Sequence, residues 1–225
     1  ALDDAVYWKN HNGRDNEIIY DGLFSRYGFG EHAGADASVA GILTRAESTD
    51  PVDVIAELAR GANQRDALGE DLDFELEQTA DKVGAAPDPG SVRSALGPRC
   101  SRAELDRWLL DWEEAHRAKP IDSSPGHLEW FDPTGMDTAV ILLPTPHGWQ
   151  APAYMSFFGA EGAGGAEKLI AVLRSWNEMY GAELVAHYGT MLQFVVGRPP
   201  QNLDDAWQLA REQELIAECT TVLPG

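Results

Sequence analysis

Ala166-Glu-Lys-Leu-Ile-Ala-Val-Leu-Arg-Ser-Trp-Asn-Glu-Met-Tyr180, followed by Gly181-Ala-Glu-Leu-Val-Ala-His-Tyr188, is the stretch on which the fold turns. Leu169, Val172, Leu173, Trp176 and Tyr180 recur at helical spacing, and Glu167, Lys168, Arg174 and Glu178 fall between them. That pattern predicts one amphipathic helix, stopped at Gly181 because glycine tolerates the left-handed turn that ends a helix. Ala182 to Tyr188 and Thr190 to Val196 then read as two strands joined at Gly189 in a hairpin.

Further outward, Thr138-Ala-Val-Ile-Leu-Leu-Pro144 is an apolar run closed by proline, as a buried strand would be. Ala153-Tyr-Met-Ser-Phe-Phe158 is a second strand candidate, rich in aromatic residues. After Pro199-Pro200, Asn202 and Asp205 supply capping chemistry for a last helix with Leu203, Ala206, Trp207 and Ala210 on one face. The expected order is ββαββα, an α+β domain with helices packed on a mainly antiparallel sheet.

Three spaced motifs carry a resemblance. They are Pro144-x-x-x-x-Trp149-x-x-Pro152-Ala-Tyr, then Leu173-Arg-Ser-Trp-Asn-Glu-Met-Tyr-Gly-Ala-Glu-Leu-Val185, and Val196-Gly-Arg-Pro-Pro200 with Ala206-Trp-Gln-Leu-Ala-Arg-Glu-Gln213. Together, over residues of about 138–219, they resemble the DUF4253 family of uncharacterised bacterial proteins. The resemblance implies a fold and no activity, since none of these motifs is catalytic. Ala217-Glu-Cys-Thr-Thr-Val-Leu-Pro-Gly225 departs from the Cys-Pro-Asp-like turn that many members carry.

The amino-terminal half reads as a mixed, helix-containing region, with the boundary expected near residue 126, so that 1–126 and 127–225 are the two parts. Asp50-Pro51 is a cap followed by proline at the first helical position, with Val52, Ile55, Leu58 and Ala59 on one face and Gly61 at the end. Ser101-Arg-Ala-Glu104 is a capping box opening a helix with Leu105, Trp108, Leu109 and Trp112 on its apolar face. Between them, Glu70-Asp-Leu-Asp-Phe-Glu-Leu-Glu77 alternates acidic and apolar residues as a half-exposed strand does, and a helix continuing to Val83 is the rival reading. Ala85-Ala-Pro-Asp-Pro-Gly90 and the stretch from Lys119-Pro120 to Pro125-Gly126 read as turns or linkers.

Composition bounds the function. With 225 residues, an apolar fraction of 44% and seven tryptophans, the chain can bury a real core. No apolar run approaches the length of a membrane span, and no leader is visible; the start at Ala1 rather than methionine suggests processing. Two cysteines without a Cys-x-x-Cys spacing fit a reducing compartment, and a cytoplasmic location is expected. Thirty-seven acidic side chains against 17 basic ones leave a net charge of −20. Such a surface repels phosphate backbones and anionic membranes, so no nucleic-acid partner and no membrane partner is expected, and a basic protein is the partner that charge permits.

Candidate sites follow from these features. Asp71, Asp73, Glu75 and Glu77 on one strand face would attract a basic partner or, less simply, a divalent cation; the glycine of an EF-hand loop is missing. Trp149, in a proline-bounded loop, is the aromatic candidate for a recognition surface, whereas Trp176 and Trp207 lie on apolar helix faces and are expected in the core. Phe158-Gly-Ala-Glu-Gly-Ala-Gly-Gly165 precedes a helix as an anion-binding loop would, but it lacks the Lys-Ser/Thr of a P-loop and reads as a connection. His11, Asp15, Glu17, Asp21, Glu31 and His32 are the raw material of a metal or acid–base site without the spacing of a known one. Ser25 lacks the setting of a hydrolase elbow, and His147 and His187 lack a partner carboxylate in the sequence. No cofactor is expected. The leading expectation is a non-enzymatic acidic binding module, immunity-type in its finer form and neutralising a basic toxin; the rival is a small metal-dependent or acid–base enzyme built on the amino-terminal half.

Overall fold

A computed structural model of the chain describes residues 6–11, 14–18, 38–62, 66–70, 72–118, 139–155, 157, 160, 163–187 and 192–217, with backbone alone at 6–11, 14–18, 70, 139 and 140. Its elements are β1 (Val6–His11), β2 (Arg14–Ile18), α1 (Val39–Ser48), α2 (Pro51–Ala62), α3 (Ala67–Glu70), α4 (Leu72–Val83), α5 (Pro89–Leu96), α6 (Arg102–His116), β3 (Ala139–Leu142), α7 (Ala151–Tyr154), α8 (Ala166–Tyr180), β4 (Ala182–His187), β5 (Leu192–Val196) and α9 (Leu203–Ile216). Helices and two small antiparallel sheets make it an α+β protein. The chain divides into two compact units, one made of Ala1–Ile55 with Pro125–Gly225, the other of Ala56–Ser124.

In the first unit, α8 is the axis. Leu169, Ile170, Ala171, Val172 and Leu173 are all buried in succession, a run no helix can hide on a single face. The reason is that α8 packs on α1, on α7 and on β4, so more than one of its faces is covered. Ile42 and Ala46 of α1 pack with Ala153, Ala166 and Ile170 in one cluster. Helix α1 itself starts where the Ser38 hydroxyl accepts the Gly41 N–H at 3.1 Å. At its other end α8 stops as expected: Gly181 has φ 60° and its N–H donates to Asn177 O at 2.8 Å.

The hairpin forms as the sequence leads one to expect, with β4 and β5 antiparallel and Leu184 paired with Phe194; its turn at Gly189 lies outside the described residues. Leu184 and Phe194 are only half buried, and the Trp176 ring meets Phe194 edge to face at 6.1 Å. Two strand expectations need correction. Leu142 of β3 is exposed and Ile141 half buried, so this is not a buried strand, and it pairs with β1 in the order β2-β1-β3. Val6 faces Leu142 across that ladder and Lys9 faces Ala139. No strand occurs at 153–158 among the described residues. Instead Gly148–Gln150 forms a 3-10 turn leading into α7, where Pro152 sits in the first turn without costing a hydrogen bond.

The second unit is helical. Leu68, Leu72, Leu76, Val92, Leu105 and Leu109 form its core, with Leu96 and Trp108 packed against it. The stretch 72–77 is helix, not strand: Leu72, Leu76 and Thr79 recur at helical spacing and all three are buried. Ser101 caps α6 as expected, its hydroxyl accepting the Glu104 N–H while the Ser101 N–H donates to Glu104 Oε2 at 2.7 Å. Two further expectations fail. In this unit Pro89-Gly90 opens α5 under an Asp88 cap instead of ending a linker, and in the part of α2 that belongs to the first unit Val54 is the buried residue while Val52 is exposed.

Candidate functional site

Helix α4 carries the acidic candidates, and the change from strand to helix redistributes them. Asp73 and Glu77 stand four residues apart on one face and Asp81 continues it, all three exposed. Phe74, 61% exposed, lies beside that row, because residues one, three and seven positions away from a helical residue flank it. Glu75 points elsewhere: its carboxylate takes the Arg102 guanidinium at 2.7 Å, and Arg102 also binds Asp106 at 2.7 Å. Burial works against the Arg102 charge, but the two carboxylates outweigh it and raise the guanidinium above its ordinary value. Asp71 lies outside the described residues. The surface that results is a large apolar ring edged by three carboxylates that form no ion pair among the described residues.

Trp149 is half buried. It packs against the cluster of Ile42, Ala46, Ala153, Ala166 and Ile170 and stacks on the exposed His147 ring at 5.2 Å. Trp176 is buried, as expected for a core residue, and its indole N–H donates to Glu212 Oε2 at 2.8 Å. Trp207 is half buried beneath the Arg211 guanidinium, 5.9 Å from its ring centre. His187 meets Phe157 edge to face. The glycine-rich loop is described only in part: Ala160 and Ala163 are buried, and the Gly165 N–H donates to Ala160 O at 2.7 Å. That amide is thus engaged inside the loop.

The amino-terminal candidates are placed only by backbone register. His11 faces Arg14 and Glu17 faces Lys9 in the β1–β2 ladder, Asp15 lies in β2, and Asp21, Ser25, Glu31 and His32 lie outside the described residues. Among the described residues no three histidine, cysteine, aspartate or glutamate side chains gather as a metal site, and no helix is long and apolar enough to cross a membrane.

One feature of the family-like segment escapes sequence reasoning. Arg198 closes the open end of α8: its guanidinium donates to Glu178 O at 2.6 Å, Met179 O at 3.3 Å and Asn177 O at 3.4 Å, and its backbone N–H donates to Tyr180 O at 2.8 Å. Asn177 O also accepts the Gly181 N–H, whereas the carbonyls of Glu178, Met179 and Tyr180 are among those a helix leaves without internal partners, at the negative end of its dipole. An open groove of about 670 Å³ runs alongside, lined by Met179, Tyr180, Pro199, Pro200, Gln201 and Asp205. Burial, with Glu212 and Asp205 nearby, raises the Tyr180 phenol above its ordinary value. The Gly197-Arg-Pro-Pro200 motif is therefore a structural clasp, and an arginine two residues beyond a strand and ahead of two prolines is the sequence mark that could have found it.

No curated protein and no solved structure matches the chain. Residues 139–223, which hold β3, α7, α8, the hairpin and α9, match the family model described as Domain of unknown function (DUF4253).

Proposed function

We propose that the protein is a non-enzymatic binding module for a basic protein, and that the exposed face of α4 is its docking surface. The observation that supports this reading is the placement of Phe74 beside Asp73, Glu77 and Asp81 on one open helix face, in a chain of net charge −20. An exposed phenylalanine supplies apolar area to a partner, and carboxylates around it select cationic side chains and steer their approach. An immunity-type role, in which the bound partner is a basic toxin, is the finer form of the same reading.

The test uses a cationic amphipathic helical peptide as probe. Its association rate with the full-length protein should fall steeply as salt rises, and Asp73→Asn, Glu77→Gln and Asp81→Asn combined should slow it about tenfold or more. Phe74→Ala should instead speed dissociation. An association rate indifferent to salt and to the triple variant overturns the proposal.

A further inference from the structure

Among the described residues the β4–β5 hairpin has one covered edge and one open edge, and the two are told apart by its hydrogen-bond phase. Gly197 N–H donates to Gly181 O at 3.2 Å, which marks that pair as hydrogen-bonded. Bonded and non-bonded pairs alternate along an antiparallel ladder, so Glu183 and Val195 are the next bonded pair. Ala182 with Val196, and Leu184 with Phe194, then turn their backbone groups away from each other. On the β4 side this is visible directly: a Cβ added to Gly148 would lie 2.7 Å from Leu184 O and 3.2 Å from Leu184 N, so the 3-10 turn covers that edge. On the β5 side the outward N–H and C=O groups of Phe194 and Val196 meet no partner among the described residues.

The two faces of β5 also differ. Phe194 lies against Trp176, whereas Val195 is 59% exposed and Val185 on the neighbouring strand 55%. Natural proteins guard open edges with lysine, proline or inward charges, and Leu192-Gln-Phe-Val-Val196 contains none of these. In a chain of net charge −20, this is a strand along which like charges would not be brought face to face. A basic strand would find no carboxylate on β5 to engage, while an identical uncharged strand meets no repulsion.

We infer that β5 is a dimerisation edge, pairing antiparallel with β5 of a second copy of this chain to make a continuous four-stranded sheet. The two-fold axis passes at Val195. Phe194 and Val196 then exchange hydrogen bonds with the second copy's Val196 and Phe194, and the two Val195 residues form a non-bonded pair with Cα atoms about 4.5 Å apart. Pro199 and Pro200, which have no N–H to offer, limit the pairing to the strand itself.

Sedimentation equilibrium of the 225-residue chain tests this. The mass should rise from one chain to two with concentration, and Val195→Lys, which sets two like charges against each other at the axis, should weaken the dimer about tenfold or more. Near-UV circular dichroism of the variant should stay unchanged if Trp176 keeps its seat on Phe194. In a Cys219→Ser background, Val195→Cys should cross-link under mild oxidation, because the expected Cα separation lies in the disulfide range, and the control Val52→Cys, more exposed still, should not. A single-chain mass at every concentration, an undiminished Val195→Lys dimer, or cross-linking of Val195→Cys no faster than Val52→Cys overturns the inference.

Discussion

The indole Nε1 of Trp176 donates a 2.8 Å hydrogen bond to Oε2 of Glu212, and through it α8 is tied to α9. Glu212 is held from the other side by the Gln208 amide at 3.0 Å, so the acceptor is positioned before the indole reaches it. Trp176→Ala removes both the buried ring and this bond and should cost about 3–5 kcal/mol. Trp176→Phe keeps most of the ring and should cost about 1–2 kcal/mol. Urea denaturation of the two variants separates them; an alanine variant within about 1 kcal/mol of the parent would mean that the ring is not a core element.

Arg198 is exposed, yet its removal should be felt at the far side of a helix end. Arg198→Ala leaves the last carbonyls of α8 to water and should cost about 1 kcal/mol, with faster amide exchange confined to the last turn of α8 and to Gly181. Arg198→Lys, a point charge without the planar fork, should recover only part. Uniform exchange along α8 in Arg198→Ala would show that the clasp has no local effect.

Gly148→Ala brings a methyl against the backbone of β4, 2.7 Å from Leu184 O, where no flexible side chain can yield. The turn must shift, and a loss of about 1–3 kcal/mol is expected. Gly61→Ala is the control: a Cβ there meets nothing within 4 Å, and in the last turn of α2 it should be neutral or stabilising. Equal melting temperatures for the two variants would remove Gly148 from its assigned role.

Glu104 accepts the Ser101 N–H and the Ser101 hydroxyl, and these bonds lower its carboxyl below the ordinary glutamate value. The unfolded chain therefore holds this proton more tightly than the folded one. Stability from the capping box is complete above the ordinary glutamate value and is lost as pH falls through the lowered folded value. The stability gap between the parent and Glu104→Gln should narrow over that interval, measured by urea midpoints; a gap constant with pH would contradict it.

Cys100 is buried near Glu104 and Asp66, and burial first, then these charges, raises its thiol above the ordinary value. In a Cys219→Ser background, alkylation of the native protein at neutral pH should be far slower than in urea. Comparable rates would place Cys100 at the surface.

Chain punctuation was readable where a single residue carries the physics. Ser101, Asn202, Asp50 and Gly181 end or begin helices through one side chain or one backbone conformation, and each does so in the structure. Residues 70–77 misled because Leu72, Phe74 and Leu76 alternate like a strand while Leu72, Leu76 and Thr79 keep helical step; only the helical core shows which period wins. Ala153 to Phe158 misled in the same way, since aromatic content favours strands only where a sheet is present to receive them. The acidic row was legible as charge but not as geometry, for a helix separates Glu75 from Asp73 and Glu77 and adds Asp81. The residues that Arg198 binds and the partner of β3 could not be read locally, because both pairings join residues distant in sequence.

The pairing of Val6 with Leu142 has a consequence for biosynthesis. A ribosome delivers β1 and its neighbour β2 long before β3 exists, and the whole of 56–124 emerges in between. That middle segment closes its contacts within a contiguous stretch and can fold while it is still tethered, whereas the unit built from both flanks must wait for β3. The edge of β1 that β3 will cover thus stays without its partner through most of translation, the interval in which a nascent chain is most exposed to aggregation and to chaperones.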